Sequence, residues 1–465
     1  MANEVFDAIV IGSGQGGNPL AKAMAEAGWK TAVIERKDVG GTCVNVGCTP
    51  TKTLVASARV AYLARRAREF GVIADKNGDS AVRVDMAAVI ARKREVVAVW
   101  RTGSEKALET ANLTLIRGEA SFTGAHEVSV AFPDGTAKEF AAKKIFINTG
   151  TRTAVPEIAG LRDVPFLNNE SIMELETLPG HLVVLGGGYI ALEFAQMFRR
   201  FGSAVTIVQK GPTLAEHEDA DVSAEIASIL REDGIEVLLQ SETVRVRQDG
   251  SSIMLTVKVG GAEREVGGTH LLVAVGRVPN TEVLHCDRAG VELDAHGFVK
   301  ANPRLETTAE GIWAIGDVKG GPAFTHISYD DYRVLKTNLL EGGSREITGR
   351  PLPYTMFIDP ELGRIGVTEA EARKAGKKIK VAKMPMSSVA RAYESAETRG
   401  FLKAIVDADT DQILGAAVLG VDGGEIAAQI QIAMMGNLTA STLREGIWSH
   451  PTRAEALNRL FSSYE

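Results

Sequence analysis

The sequence predicts an α/β chain in three parts, and three observations predict it. Val5 to Ile11 is a short apolar run that opens into Gly12-Ser13-Gly14-Gln15-Gly16-Gly17. Leu182 to Leu185 opens in the same way into Gly186-Gly187-Gly188-Tyr189-Ile190-Ala191. Past Leu340 the composition changes, and residues 346–465 alternate strand-like and helix-like stretches without a glycine-rich loop. An apolar strand, a glycine loop and a helix in succession make the turn on which a dinucleotide pyrophosphate rests. Two such units imply two Rossmann-like dinucleotide-binding domains, followed by an α+β domain. The expected division is 1–150 and 281–345 for the first nucleotide domain, 151–280 for the second and 346–465 for the third.

In the first unit Gly12, Gly14 and Gly17 complete GxGxxG. A helix is expected from about Asn18 to Ala27, then a strand from Thr31 to Glu35. Glu35 lies 23 residues after Gly12, close to the ~20 expected of the acid that holds a ribose hydroxyl. Helices are expected over about 51–70 and 85–112. Short strands should fill 113–140, with turns at Thr123-Gly124 and Asp134-Gly135. Lys144 to Gly150 should return to the first sheet. In the second unit a helix should run through Phe201, followed by a strand over 204–208. Gln209 and Lys210 stand 23 and 24 residues after Gly186, where the acid would be. Loss of that carboxylate removes repulsion against a 2′-phosphate, and Lys210 can pair with one, so the spacing favours NADPH over NADH. Ala274-Val275-Gly276-Arg277 closes the unit. Thr308 to Asp317 is expected to be a further strand. In the last part strands are expected near 364–367, 400–407 and 413–419, and helices near 369–375, 424–436 and 439–446.

Between the first unit's second strand and its long helix lies Gly41-Thr42-Cys43-Val44-Asn45-Val46-Gly47-Cys48-Thr49-Pro50-Thr51-Lys52. Four residues separate the two cysteines, so they are able to close into a disulfide, open and pass electrons. Pro50 suits the first turn of a helix. That places Cys48 at a helix N-terminus, where partial positive charge favours a thiolate. No second cysteine pair or histidine cluster stands at zinc-ligand spacing, so no metal site is expected. The third cysteine, Cys286, is isolated.

Net charge is −7 and the isoelectric point about 5.8, which argue against general affinity for nucleic acid or an anionic membrane surface. No apolar run is long enough to span a bilayer. No signal peptide is expected ahead of the first strand, and three cysteines in 465 residues suit a reducing, cytoplasmic setting.

The six motifs, in this order, resemble those of the pyridine nucleotide-disulfide oxidoreductases of the flavin type, which include glutathione reductase, dihydrolipoyl dehydrogenase and mercuric reductase. They are the Gly12 fingerprint, Cys43-x4-Cys48, the Gly186 fingerprint, Gly276-Arg277, Ala314-Ile315-Gly316-Asp317 and His450-Pro451-Thr452. The resemblance implies FAD on Gly12, Gly14, Gly17, Glu35, Thr42, Gly150 and Asp317. It implies NADPH or NADH on Gly186, Gly188, Ala191, Gln209, Lys210, Gly276 and Arg277. Cys48 would face the flavin and Cys43 the substrate. Lys52 would lie near flavin N5 with Glu193 as its carboxylate partner. His450 and Glu455 would form a proton-transfer dyad lent by a second subunit, so the third part would be a dimerisation domain and the protein a homodimer.

The cysteine stretch is most similar to the mercuric reductases and the reactive-chlorine-resistance flavoproteins. Phe324-Thr325-His326 leans towards the latter, and His326 stands where either an approach to the flavin or a structural role is open to it. Two departures bear on the acceptor. The chain ends Leu460-Phe461-Ser462-Ser463-Tyr464-Glu465 without the vicinal cysteines of mercuric reductases, and it carries His450, which those enzymes usually lack. The expectation is a reductase acting on a metal ion, a small disulfide or a thiol-reactive oxidant. A dihydrolipoyl dehydrogenase or glutathione-type reductase is the second reading, and a redox-sensing flavoprotein without turnover the third.

Overall fold

A computed structural model describes residues 4–73 and 82–464. The chain divides into two compact units, one of residues 1–53, 90–154 and 276–350, the other of 54–89, 155–275 and 351–465.

The first unit is built on a seven-stranded mixed sheet. Its parallel part holds β1 (Glu4–Ile11), β2 (Thr31–Glu35), β3 (Leu113–Arg117), β6 (Ala137–Ile147) and the short β16 (Ile312–Ala314). β4 (Glu119–Gly124) and β5 (Glu127–Ala131) extend it antiparallel from β6. β1 is central, between β2 and β6, and Ala8, Ile9 and Val10 are wholly buried. A strand covered on both faces reads as a continuous apolar run, which is why it was legible. Its two faces feed two cores, one around Phe6, Ile9 and Phe122, the other around Val10, Leu20 and Phe146. Fully burying a side chain of this size stabilises by roughly 1.5–3 kcal/mol. Helix α1 (Gly17–Glu26) follows the glycine loop, α2 (Gly41–Asn45) and α3 (Cys48–Arg66) carry the cysteines, and α4 (Met86–Lys106) follows. β7 (Thr151–Thr153) pairs with β15 (Arg277–Pro279), and α7 (Thr325–Leu340) packs on α1.

The second unit holds a four-stranded parallel sheet of β8 (His181–Leu185), β9 (Ala204–Val208), β10 (Glu236–Leu238) and β14 (His270–Val273). Helices α5 (Tyr189–Phe201) and α6 (Ala220–Glu232) belong to it. A meander of β11 (Ser241–Asp249), β12 (Ser252–Val259) and β13 (Ala262–Gly268) joins its core. The C-terminal part is a five-stranded antiparallel sheet in the order β17 (Tyr354–Met356), β18 (Glu361–Gly366), β21 (Ile413–Gly420), β20 (Phe401–Asp407) and β19 (Ile379–Pro385). α8 (Glu369–Lys374), α9 (Ala390–Glu394), α10 (Gly423–Met435), α11 (Ala440–Glu445) and α12 (Ala456–Leu460) accompany it.

Several expectations are corrected. The strand expected over 308–317 is only Ile312–Ala314, because Gly311 (φ +74°) and Gly316 (φ +69°) turn the chain out of the extended region on either side. The helix expected over 85–112 stops at Lys106. The helix from the cysteines ends at Arg66, and a 3₁₀ turn covers Ala67–Phe70. The meander from Ser241 to Gly268 was not anticipated. Its strands alternate buried and exposed residues with charges on the open face, so no continuous apolar run marks them.

Candidate active site

The first glycine loop is fixed by close backbone approach. Gly12 has φ +102°, and a Cβ there would lie 2.3 Å from the Asn148 carbonyl oxygen. Asn148 Nδ2 donates to the Gly12 carbonyl at 2.9 Å. A Cβ on Gly17 would lie 2.3 Å from that same carbonyl oxygen, and one on Gly14 3.1 Å from Asn148 Nδ2. Glu35, at the end of β2, is 9 % exposed and accepts from Ser13 N at 2.9 Å, Ser13 Oγ at 2.6 Å and Lys37 N at 2.8 Å. Among the described residues no side chain caps the start of α1, and Asn18 Oδ1 and Thr149 Oγ1 are buried without a hydrogen-bond partner. The partial positive charge at a helix start favours an anion. Orphaned polar atoms beside it fit a bound dinucleotide, since buried polar groups otherwise find partners. The residues present therefore fit FAD.

Asp317 sits in the turn Gly316–Lys319 after β16. Burial pushes its carboxyl up, against the opposing pull of Arg277 and a hydrogen bond from Thr151 Oγ1 at 3.2 Å. Arg277 donates to Thr151 Oγ1 and to the Thr151 carbonyl, both at 2.7 Å. Arg277, like Gly276, was expected on the second nucleotide; both lie in the unit that holds the first glycine loop. Gly150, also expected on the flavin, has φ +66°, and a Cβ there would meet open space among the described residues. The turn is held from behind by Asp331 of α7. This wholly buried carboxylate accepts from Gly316 N at 2.8 Å and pairs with Lys319 at 3.0 Å and Arg350 at 2.7 Å. Asp331 was not singled out in the sequence, because an acid in a helix reads as a solvated side chain until its burial is known.

Thr42 and Cys43 lie on α2, and Cys48 is the first residue of α3, with Pro50 in its first turn. Asn45 ties the connection down: its Nδ2 donates to the carbonyls of Val39 and Gly41, each at 3.0 Å, and Arg101 Nε donates to its Oδ1 at 2.7 Å. A Cβ on Gly47 would lie 2.8 Å from the Thr42 carbonyl oxygen. Both cysteines are thiols, Cys43 half-buried and Cys48 exposed. The Cys43 thiol is pushed well up, first by its hydrogen bond with Cys48 and then by burial, while Thr325 and the charge of Lys52 pull it down. Cys48 Sγ and Thr325 Oγ1 lie 3.2 Å apart, within hydrogen-bonding distance. Lys52 follows Cys48 by one helical turn.

In the other unit Gly186 has φ +118°, and a Cβ there would lie 2.4 Å from the Ala274 carbonyl oxygen. Gly188 caps α5 in an extended conformation, and Ala191 is wholly buried. Gln209 Nε2 donates to Glu216 at 2.8 Å. Lys210, 77 % exposed, pairs with Glu242 at 2.8 Å. A carboxylate, that of Glu216, thus stands beside the position from which sequence spacing had removed one. Glu193 is 3 % exposed on α5 and accepts from Phe357 N at 2.8 Å. His450 Nδ1 lies 2.9 Å from one Glu455 oxygen and 3.1 Å from the other, with the ring 70 % exposed and the carboxylate 21 %. The Nδ1–carboxylate bond leaves Nε2 as the outward-facing nitrogen. His326 is exposed and stacks on Phe324, ring centroids 5.5 Å apart. Cys286 is buried in the first core, which pushes its thiol up to about 11.

Comparison with known proteins decides the family. Residues 6–331 match the pyridine nucleotide-disulphide oxidoreductase family, and residues 352–461 match its dimerisation domain. The chain belongs to the pyridine nucleotide-disulphide oxidoreductases. It is 39 % identical to the probable pyridine nucleotide-disulfide oxidoreductase RclA of Escherichia coli K12, over 98 % of this chain and 99 % of that one. It is 33 % identical to the mercuric reductase of Bacillus cereus, over 98 % of this chain and 71 % of that one. A solved structure described as the Cu(II) complex of the HOCl-induced flavoprotein disulfide reductase RclA from E. coli superposes with a TM-score of 0.89, at 39 % identity and 99 % coverage of both chains. The protein is thus a flavoprotein disulfide reductase of the branch that includes RclA and the mercuric reductases. Among the described residues no helix is long and apolar enough to cross a membrane.

Proposed function

We propose that the protein takes electrons from NADPH, through FAD held by the first unit, to the Cys43–Cys48 pair. The reduced pair then delivers them to a thiol-reactive oxidant, a small disulfide or a soft metal ion. The observation that supports this most directly is the placement of the two thiols: Cys43 lies on α2, and Cys48 is the first residue of α3 with its Sγ 3.2 Å from Thr325 Oγ1. The partial positive charge at that helix start favours a thiolate on Cys48, while the hydrogen bond with Cys48 pushes the Cys43 thiol up. Cys43 keeps its proton until a base removes it. FAD, when bound, supplies the two-electron step between nicotinamide and the disulfide. This chain's residues bind the pyrophosphate at Gly12, Gly14 and Gly17, the adenosine ribose at Glu35 and the ribityl chain at Asp317, with Thr42 and Gly150 beside them. Gly186, Gly188 and Ala191 hold the nicotinamide dinucleotide. Lys52 would supply positive charge near the bound flavin, which favours its reduced form, and Glu193 is the further carboxylate of the proposal.

The protein acts as a homodimer joined through the C-terminal domain. His450 of one protomer reaches the other's cysteines and Glu455 orients its ring, so that Nε2 takes the Cys43 proton. The domain division given above is part of the same proposal, as is a cytoplasmic setting. Soft thiolates bind Hg(II) and Cu ions well, and the solved RclA structure is described as a Cu(II) complex. The His450–Glu455 pair favours a second substrate class, small disulfides, whose leaving thiolate needs a proton.

The test is anaerobic reduction with NADPH, followed by turnover on Cu(II), Hg(II), hypothiocyanite, glutathione disulfide and lipoamide with NADPH and NADH in parallel. A long-wavelength thiolate–flavin absorbance band is expected in the wild type and none in Cys48→Ala. His450→Gln should lower disulfide turnover ~10²–10⁴-fold, the range for a general acid–base group, and leave flavin reduction by NADPH intact. A wild type that binds FAD but gives no band, or Cys43→Ser that still turns over, would overturn the reading.

A further inference from the structure

We propose that one face of α7 clamps the two turns of the flavin site to each other, and that Asp331 is its positioning residue. Asp331 fixes the Gly316–Lys319 turn against the Gly12–Gly17 loop, and so sets the grip on the ribityl half of FAD. This rests on the reading of the first unit as the FAD site.

Ser328 and Asp331 stand three residues apart on α7 and share a face of the helix. Ser328 meets both turns. A Cβ on Gly16, just before α1, would lie 2.8 Å from the Ser328 carbonyl oxygen and 2.8 Å from its Oγ. A Cβ on Gly316 would also lie 2.8 Å from that Oγ. Asn148 joins the same two turns. Its Nδ2 donates to the Gly12 carbonyl, and its Oδ1 would lie 3.1 Å from a Cβ on Gly316. The pyrophosphate loop and the ribityl turn are thus packed together through two side chains, and a larger residue at either glycine would push them apart.

Asp331 holds the second turn from both of its ends. Gly316 N donates to Asp331 Oδ2 at 2.8 Å, and Lys319 Nζ reaches the same oxygen at 3.0 Å. One oxygen therefore ties the first and last residues of the turn that carries Asp317. The other oxygen, Oδ1, accepts from Arg350 Nη1 at 2.7 Å. Asp331 is wholly buried and the Lys319 side chain 6 % exposed. Hydrogen bonds to a charged group are strong, and away from water they are stronger still.

Both Asp331 oxygens are occupied by protein, so the residue acts on the ligand only through the turn. Its carboxylate is carried on a 16-residue helix that also packs on α1. The turn is left one arrangement relative to the glycine loop, which is what a ligand held at two points requires. The adenosine and pyrophosphate contacts do not depend on this turn.

The test is flavin release from the holoenzyme, read as the gain of flavin fluorescence after dilution. It is joined to calorimetric titration of the flavin-free full chain with FAD and with ADP. ADP carries the adenosine and both phosphates but no ribityl chain. Asp331→Ala/Lys319→Met removes the acceptor of Gly316 N together with the lysine it would strand. It should release FAD about tenfold faster and bind it about tenfold more weakly, the scale of one hydrogen bond to a charged group, with ADP affinity unchanged. Asp331→Asn/Lys319→Met keeps an uncharged acceptor for Gly316 N and should return FAD binding close to the parent's. Arg350→Met leaves every atom of the turn in place and frees the carboxylate to rotate, so it should show the same pattern to a smaller degree. FAD held as in the parent by both the Ala variant and Arg350→Met overturns the proposal. Equal losses of FAD and ADP, or an Asn variant as loose as the Ala variant, also overturn it. A parent that binds no flavin overturns the FAD reading and the proposal with it, whereas a parent that holds FAD beside variants that hold it equally well overturns the proposal alone.

Discussion

In the first glycine loop, Gly12 stands at φ +102° with the Asn148 carbonyl where a Cβ would go; in the second, Gly186 stands at +118° with the Ala274 carbonyl in the same place. Both loops are cut to one pattern, a strand delivering a glycine against the neighbouring strand's end. They part at the tip of the following strand. Glu35 is buried and held by three hydrogen bonds. Its counterparts carry no carboxylate of their own: Gln209 donates to Glu216, and the exposed Lys210 pairs with Glu242. A buried carboxylate held by three hydrogen bonds is fixed in place. Exposed groups in weak ion pairs exchange partners at little cost. The first loop is suited to a resident group and the second to a ligand that arrives and leaves.

The largest effect should come from Gly12→Ala. The backbone is left-handed there and the Cβ would overlap backbone, so a loss of more than about 2 kcal/mol of stability is expected, with failure to retain flavin. Thermal melting and bound-flavin absorbance check it. Gly188→Ala in the second loop, extended and with nothing within 4 Å among the described residues, should change melting little. Equal losses in both variants would break the comparison.

Glu35→Gln should cost roughly 1–3 kcal/mol, because Ser13 N, Ser13 Oγ and Lys37 N would then share a neutral acceptor. The readouts are melting and flavin retention on dialysis.

Asp317→Asn should act in the opposite sense on the apoprotein. Burial raises the Asp317 carboxyl, so the folded state binds its proton more tightly than the unfolded state. Stability therefore falls as pH rises from the ordinary carboxylate value through the raised one, and above that interval the whole cost is present. At neutral pH the Asn variant should melt at or above the wild-type temperature while binding FAD more weakly. A lower melting temperature for the apo variant would contradict this.

The smallest effect belongs to the second loop. Lys210→Ala should lower the NADPH to NADH ratio of kcat/KM by about two- to fivefold, the scale of one exposed ion pair. Glu216→Gln should raise it. No change in either variant would show that nucleotide choice is made elsewhere.

The first β-strand, both glycine loops, β2 and β9 were legible because backbone requirements leave few alternatives: an apolar run buried on both faces, and glycines where a side chain would collide. The three-stranded meander and β19 were not, since their patterns are half polar and their partners lie far along the chain. The same contrast runs through the site. Cys43, Cys48 and His450 announce themselves by residue type, and Glu455 by its distance of five residues from His450. Thr325 and Asp331 do not, because threonine and aspartate are common on helix surfaces.

The sequence by itself therefore determined the order of the nucleotide loops, the thiol pair and the helix that begins at Cys48. These depend on local conformation and on residues close in the chain. Only the tertiary structure decided that Thr325, 277 residues away from Cys48, meets its sulfur, that Arg277 bonds Thr151, and that Glu216 stands beside Gln209. Those placements come from how strands pair and helices pack, and the energy that selects them is summed over whole cores rather than written at any one position.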